Sequence, residues 1–181
     1  METERLTIRN AKPIDVDDIF EMRSSEFVLK YNAMETMTYE QARAQVDKDT
    51  MSENVFYLEL KDAGKVIGTI YLEEDSLRYG VNSISLSYYL NENYARKGYM
   101  TEAMGRIIKY IFDIRQVDVI SARVFSENIA SQRLLKKLGF VNEGCIRRCV
   151  KGYKDVIYDD LIFSMLREEY QRTQGDGSSV L

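Results

Sequence analysis

The sequence predicts a mixed α/β domain of the α+β class, in which helices flank one central, mostly antiparallel, twisted sheet. The length of 181 residues suits a single domain, and a hydrophobic content of 45% is enough to fill one buried core. The order of patterns is helices, three alternating strands, a helix, a strand, a helix and a strand pair, which is typical of one sheet covered by helices. We therefore expect one domain over residues 1–172, followed by a flexible tail over 173–181.

The first half of the chain predicts one strand, two helices and a three-stranded meander. Apolar and polar residues alternate in the first strand, whereas apolar residues recur at helical spacing in the first helix. Thr38 is a good N-cap for the second helix. The segment 62–65 contains Gly64 and predicts a hairpin turn between two β-rich runs. The predicted ranges are 4–12, 55–60, 66–72 and 83–90 for the strands, and 15–25 and 38–48 for the helices.

The second half predicts two amphipathic helices, with a strand between them and a strand pair after them. The first of these helices begins near Met100 and has apolar residues at helical spacing as far as Ile111. The second runs from Asn128, a good N-cap, to Leu138, and Gly139 is a good residue to end it. The predicted strands are 117–124, 140–150 and 156–164, and a short helix follows to about residue 172.

Composition excludes several classes of function. The net charge of −4 offers no basic face for nucleic acid, and no run approaches the roughly 20 apolar residues that cross a bilayer. The first residues lack the pattern of a signal peptide, so we expect a cytoplasmic protein. The chain has no histidine, which excludes serine–histidine mechanisms and leads us to expect no metal site. We expect Cys145 and Cys149 to be buried on one face of a strand, about 13 Å apart and unable to form a disulfide.

The segment 91–99 has the features of an anion-binding loop. It connects a strand to a helix, and the first N–H groups of a helix have no intrahelical partners and attract negative charge. Gly98 allows a phosphate to approach the backbone, and Arg96 and Lys97 add positive charge beside it. The loop has neither the nucleoside-triphosphate nor the dinucleotide glycine pattern. Taken alone, the segment fits an ordinary loop, in which the glycine only turns the chain, better than it fits an anion site.

Two segments together resemble motifs of the GNAT superfamily of acetyltransferases. The run Tyr94–Ala103 is similar to its pyrophosphate loop, in the form found in bacterial ribosomal-protein N-terminal acetyltransferases. Asn128-Ile129-Ala130-Ser131 is similar to its second motif and is followed by 138–140 at the expected distance. The resemblance spans about residues 5–170. It implies that strands 83–90 and 117–124 splay apart and that the pantetheine arm of acetyl-CoA lies between them. The implied cofactor-binding residues are Tyr88, Leu90, Arg96, Lys97, Gly98, Tyr99, Met100, Thr101, Asn128 and Ser131.

The resemblance also implies catalytic roles. Many members of the family have a tyrosine seven residues after the asparagine to protonate the departing thiolate, but this chain has Leu135 there. Ser131 is then the best remaining proton donor. Ser85 occupies the position of a strand-4 glutamate that often acts as the base, and Glu73 and its neighbour Glu74 are alternative carboxylates. The simpler interpretation makes Asn128 only a helix cap, and Ser131 and the two glutamates only solvated side chains.

The expected reaction is attack of a neutral amine on the acetyl thioester. An α-amine with a pKa near 8 is roughly a tenth neutral at pH 7, and a lysine far less, so an enzyme without a strong base suits a protein N-terminus. The alternatives are a small-molecule amine (polyamine, amino acid, amino sugar or antibiotic) and a non-catalytic acyl-CoA-binding module. A homodimer is compatible with the sequence. The segment 26–40 is where this family varies its acceptor site, and tyrosines could line the groove: Tyr31, Tyr57, Tyr71, Tyr88 and Tyr89.

Overall fold

The computed structural model describes residues 1–175, so most of the predicted tail 173–181 lies outside the described residues. Seven strands form one sheet in the order β1-β2-β3-β4-β5-β7-β6. The strands are β1 Leu6–Arg9, β2 Val55–Leu60, β3 Val66–Glu74, β4 Ser83–Leu90, β5 Val119–Phe125, β6 Val141–Lys151 and β7 Ile157–Leu166. The helices are α1 Val16–Arg23, α2 Glu26–Leu29, α3 Tyr39–Thr50, α4 Tyr99–Tyr110, α5 Ile129–Lys137 and α6 Arg167–Gly175.

The predicted mixed fold with one mostly antiparallel sheet is confirmed. Every predicted strand and long helix is present, and among residues 1–175 the one unexpected α-helix is the single turn α2. Five of the neighbouring strand pairs are antiparallel, and only β4 and β5 run parallel. This arrangement follows from the order of the elements, because a meander makes antiparallel neighbours while the crossover through α4 returns the chain in the same direction.

Local signals in the sequence set the helix starts. Thr38 Oγ1 accepts a hydrogen bond from the Gln41 N–H at 3.2 Å, and Gln41 Oε1 accepts one from the Thr38 N–H at 2.8 Å. This reciprocal pair satisfies two N–H groups that α3 cannot satisfy internally. At α5, Asn128 Oδ1 accepts a hydrogen bond from the Ser131 N–H at 3.1 Å. Both helices therefore begin where their capping residues predict.

The two faces of the sheet have separate hydrophobic cores. α4 and α5 cover one face, where Leu86 of β4 packs with Met104 and with Leu135, the fully buried residue at the position of the family tyrosine. α1 and α3 cover the other face, where Tyr89 of β4 packs. Because side chains alternate along a strand, Tyr88 lies on the α4/α5 face, whereas Ser85, Ser87 and Tyr89 lie on the α1/α3 face.

The prediction that Cys145 and Cys149 are buried is wrong, because both are exposed. β6 is the edge strand of the sheet and pairs with β7 alone among the described strands. Its side chains are exposed along the whole strand except at Val150, which is half-buried. A register shift between Ile146 and Val150 also interrupts the alternation on which the prediction relied. Cys149 Sγ lies 3.0 Å from Arg123 Nη2.

Gly68 provides a test of the close packing between β3 and β4. A Cβ at this position would lie 2.8 Å from the Tyr89 carbonyl oxygen, so Gly68→Ala must displace the end of β4. We expect the free energy of unfolding to fall by roughly 1–3 kcal/mol, measured by urea denaturation. Gly105→Ala is the control. It lies on an exposed part of α4 with no atom within 4 Å of the added Cβ, and should stabilise the protein by about 0.5–1 kcal/mol. Equal stability of the two variants would contradict the packing argument.

Candidate active site

A gap opens in the sheet where β4 and β5 part. The two strands pair from Ser83 with Val119 to Leu86 with Ala122, and no pair follows between them in the described chain. β4 nevertheless continues to Leu90, and β5 to Phe125. The edge of β4 that faces β5 therefore has backbone groups without a strand partner over residues 87–90. Such an edge is suited to an extended ligand that carries amides of its own.

The loop at the end of β4 leads directly into α4. Gly98 is the N-cap of α4 and has a left-handed backbone, with φ of 83°, a conformation that favours glycine. Arg96 also has a positive φ of 62°. The side chains of Arg96 and Lys97 are exposed, those of Tyr99 and Thr101 are half-buried, and Met100 packs into the core. The predicted loop thus presents backbone N–H groups and two cations at one helix start.

Arg5 stabilises this loop from the other end of the chain. Its Nη1 donates to the Lys97 carbonyl oxygen at 2.9 Å, its Nε donates to Glu102 Oε2 at 2.7 Å, and its guanidinium stacks 4.3 Å from the centre of the Tyr99 ring. Burial alone would raise the pKa of Glu102, but hydrogen bonds from Thr3 and Arg5 outweigh it and leave the pKa below its usual value. No local pattern in the sequence indicates this role of Arg5, because its partners lie more than 90 residues away.

The start of α5 lies close to β4 at the gap. Ser131 Oγ is 2.6 Å from the Tyr88 phenol oxygen, and the Ser131 N–H is held by Asn128. Burial raises the pKa of Tyr88 to about 12, although the hydrogen bond with Ser131 lowers it in part. The phenol is therefore neutral at physiological pH and has a proton to donate. The structure thus brings together three of the predicted residues, Tyr88, Asn128 and Ser131.

Two of the candidate bases, Ser85 and Glu73, lie on the other face of the sheet, whereas Glu74 is opposite Ile84 on the α4/α5 face. Ser85 is opposite Glu73 in the β3–β4 pair and opposite Ser121 in the β4–β5 pair, just before the gap. Glu73 and Glu74 are exposed. Ser85 faces away from Tyr88 and Ser131, so a group acting from Ser85 and a group acting from Ser131 would approach a ligand in the gap from opposite sides.

The tyrosines predicted for the acceptor groove fall into different environments. Tyr71 and Tyr89 lie on the α1/α3 face with their phenol oxygens 3.2 Å apart. Tyr57 is fully buried and donates to Asp49 Oδ2 at 2.9 Å, so it cannot line an open groove. Tyr88 is on the opposite face, and Tyr31 lies under the Lys30 ammonium, 4.9 Å from its ring centre.

Residues 1–175 contain no helix that is long and apolar enough to cross a bilayer, and no cluster of three or more His, Cys, Asp or Glu residues that could hold a metal ion. The gap between the two parallel strands is bordered by the glycine-capped start of α4 and by the polar start of α5. The chain belongs to the GNAT family: the sequence model described as "Acetyltransferase (GNAT) domain" matches residues 5–141.

Similar proteins support this assignment. The chain is 32% identical to the "Uncharacterized N-acetyltransferase YnaD" of Bacillus subtilis over 171 residues, which cover 93% of this chain and 97% of YnaD. A GNAT-family acetyltransferase structure from Bacillus anthracis has a TM-score of 0.84 at 27% identity, covering 93% of this chain and 98% of that one.

Two structures share the fold at lower identity. The ribosomal-protein-S5-alanine acetyltransferase of Vibrio fischeri has a TM-score of 0.79 at 22% identity, covering 93% of this chain and 96% of its own. The spermidine N-acetyltransferase of Vibrio cholerae, solved with CoA and spermine, has a TM-score of 0.79 at 20% identity, covering 92% of this chain and 98% of its own.

The contacts of Arg5 predict a measurable effect on the loop. Arg5→Gln removes charge-assisted hydrogen bonds to Glu102 and Lys97, so the amides of residues 97–102 should exchange with solvent about tenfold faster in hydrogen-exchange mass spectrometry. Arg106→Gln, on the same helix but outside this cluster, is the control and should leave exchange in this segment unchanged. Unaltered exchange in Arg5→Gln would show that the loop is ordered by its own sequence.

Proposed function

We propose that this acetyltransferase transfers the acetyl group of acetyl-CoA by direct attack of a primary α-amine, with a protein or peptide N-terminus as the first acceptor class. The observation that carries the proposal is the loss of pairing between β4 and β5 beyond Leu86 and Ala122, next to the N-terminus of α4. A pantetheine arm is extended and carries two amides, so it suits a gap of this kind.

The diphosphate of CoA would bind at the start of α4. The N–H groups of Gly98 to Thr101 and the helix dipole favour negative charge there, and Arg96 and Lys97 add positive side chains. From this point the pantetheine arm would run along β4 and bond to backbone groups around Leu90 and Tyr88. Asn128 and Ser131 would lie on its other side. A GNAT-fold protein solved with CoA supports this choice of cofactor.

The thioester would then lie in the gap with its carbonyl oxygen polarised by a β4 N–H near Tyr88. The neutral amine attacks the carbonyl carbon from the α1/α3 face and forms a C–N bond. The C–S bond breaks as the tetrahedral intermediate collapses, and the electron pair leaves with the sulfur. The thiolate takes a proton from Ser131 Oγ, which Tyr88 can reprotonate because the two oxygens are hydrogen-bonded. The proton of the amine leaves on the opposite side through water, where Ser85 can relay it and the Glu73 carboxylate or bulk water takes it up.

A direct measurement of binding and turnover tests the proposal. Isothermal titration with acetyl-CoA should give one site, and mass spectrometry should show a single added acetyl group on the N-terminus of short peptides. Asn128→Ser keeps a capping oxygen but lacks the amide, so it should weaken acetyl-CoA binding while preserving α5. A protein that does not bind acetyl-CoA, or that binds it and acetylates no amine, would refute the function.

The roles at the gap predict a separation between turnover and binding. Ser131→Ala removes the proton donor, so we expect kcat to fall about a hundredfold while KM for acetyl-CoA changes less than threefold. Ser126→Ala, just before α5 and outside the Tyr88 contact, is the control. Tyr88→Phe should lower kcat by a smaller factor, because the serine remains. A Ser131→Ala enzyme with full turnover would remove this residue from the mechanism.

A further inference from the structure

The cation at the end of α1 has no bonded counter-group among residues 1–175. Arg23 ends α1 and is half-buried, yet among residues 1–175 its side chain has no hydrogen bond or ion pair within 4 Å, and its Nε is buried without a partner. A buried donor on a charged group is normally paired, because leaving it unpaired costs free energy. Most other unpaired arginines and lysines lie on the exposed surface, where water solvates them. Arg23 therefore resembles a binding residue whose partner comes from outside the chain.

The position of Arg23 connects it to the proposed reaction. Its guanidinium carbon lies 5.9 Å from the centre of the Tyr89 ring. Tyr89 belongs to the stretch of β4 that has no β5 partner and faces α1 and α3. This is the face from which we propose that the amine attacks a thioester in the gap, because Tyr88 and Ser131, the proposed proton donors to the thiolate, lie on the other face. Thr69, opposite Tyr89 in the β3–β4 pair, also has a buried hydroxyl without a partner.

The acidic side chains near α1 and α2 are already engaged. Glu21 accepts hydrogen bonds from Lys65 at 2.8 Å and Asn91 at 2.7 Å, and Glu26 pairs with Lys154. Asp49 accepts hydrogen bonds from Tyr57 and from Gln45. The charge of Arg23 acts on Asp49 but does not form an ion pair with it. The guanidinium beside Tyr89 therefore has no carboxylate bonded to its N–H groups among residues 1–175, and Asp49 acts on its charge only from beyond 4 Å.

We propose that Arg23 binds a carboxylate of the acceptor, so that the enzyme acetylates amines that carry a carboxylate close to the amino group. The class includes α-amino acids and peptides with an acidic residue at or next to the N-terminus. A guanidinium presents two parallel N–H groups that match a carboxylate, which fixes both the distance and the orientation of the amine. The same charge disfavours polyamines, whose amino groups are all cationic. The proposal rests on the proposed acetyl transfer and specifies its acceptor.

Matched acceptor pairs test the proposal without any mutation. The first pair is alanine and alaninamide. The second pair is a peptide that begins Ala-Glu and the same peptide beginning Ala-Gln. Spermidine is tested beside them as an acceptor with cationic amino groups and no carboxylate. In one of the two pairs, we expect kcat/KM to be at least about tenfold higher for the member that carries the carboxylate. A difference in the first pair would indicate a free amino acid as the acceptor, and a difference in the second pair would indicate a peptide. Spermidine should be the poorest acceptor.

Variants at Arg23 then assign the preference to this residue. Arg23→Gln should raise KM for the carboxylate acceptor about tenfold and leave KM for acetyl-CoA and the rate with the amide acceptor unchanged. Arg23→Lys should retain part of the preference for the carboxylate acceptor, since lysine keeps the positive charge but lacks the two parallel N–H groups of the guanidinium. Arg43→Gln, an exposed arginine on α3, is the control and should behave as the wild type.

Several outcomes would overturn the proposal. With the wild-type enzyme, these are equal rates within both acceptor pairs, the highest rate with spermidine, or no acetylation of any amine that carries a carboxylate. With Arg23→Gln, it is an equal loss of kcat/KM for both members of a pair. The titration with acetyl-CoA separates the two levels of inference. If acetyl-CoA does not bind, the proposed function itself fails. If it binds and a neutral or cationic amine is acetylated independently of Arg23, only the acceptor assignment fails.

Discussion

The end of the β4–β5 ladder is the constraint on which the rest of the site depends. Each of the two strands is held along its whole length by its outer neighbour. β4 pairs with β3 from Ile84 to Leu90, and β5 pairs with β7 from Val119 to Phe125. The two central strands can therefore separate after Leu86 without either losing its place in the sheet. The cost is a row of unpaired backbone groups on residues 87–90, of which Tyr89 is buried and the others are half-buried, and a ligand with amides of its own can satisfy them.

The period of two along a β-strand divides the site into two sides. Tyr88 faces α5 and meets Ser131, whereas Tyr89, the next residue, faces α1 and lies under Arg23. A ligand lying in the gap would have a neutral phenol and hydroxyl on one side and an acceptor-binding cation on the other. This separation suits a reaction in which the nucleophile arrives on one side and the leaving group receives its proton on the other.

Local features were predictable from sequence, and long-range contacts were not. Thr38, Asn128 and Gly98 act on the helix that each of them begins, so their roles can be read from neighbours three or four residues away. Arg5 and Glu102 lie 97 positions apart in the sequence, and Tyr88 and Ser131 lie 43 positions apart. Both contacts depend on which elements become neighbours in the fold. The exposure of Cys145 shows the same limit. Alternation predicts two faces of a strand, but not that β6 ends the sheet and has exposed side chains on both faces.

The absence of histidine makes the state of the acceptor amine important. Neither Ser85 nor an exposed glutamate is a strong base, so the acceptor must supply its own neutral amine. A carboxylate next to an ammonium group stabilises the protonated form and raises its pKa. A guanidinium that pairs with that carboxylate cancels this effect, and its positive charge further disfavours the ammonium form. In the proposed complex one contact with Arg23 would therefore both select the acceptor and increase the fraction that can attack. A site without a strong base beside the substrate gains more from such a contact than a site that has one.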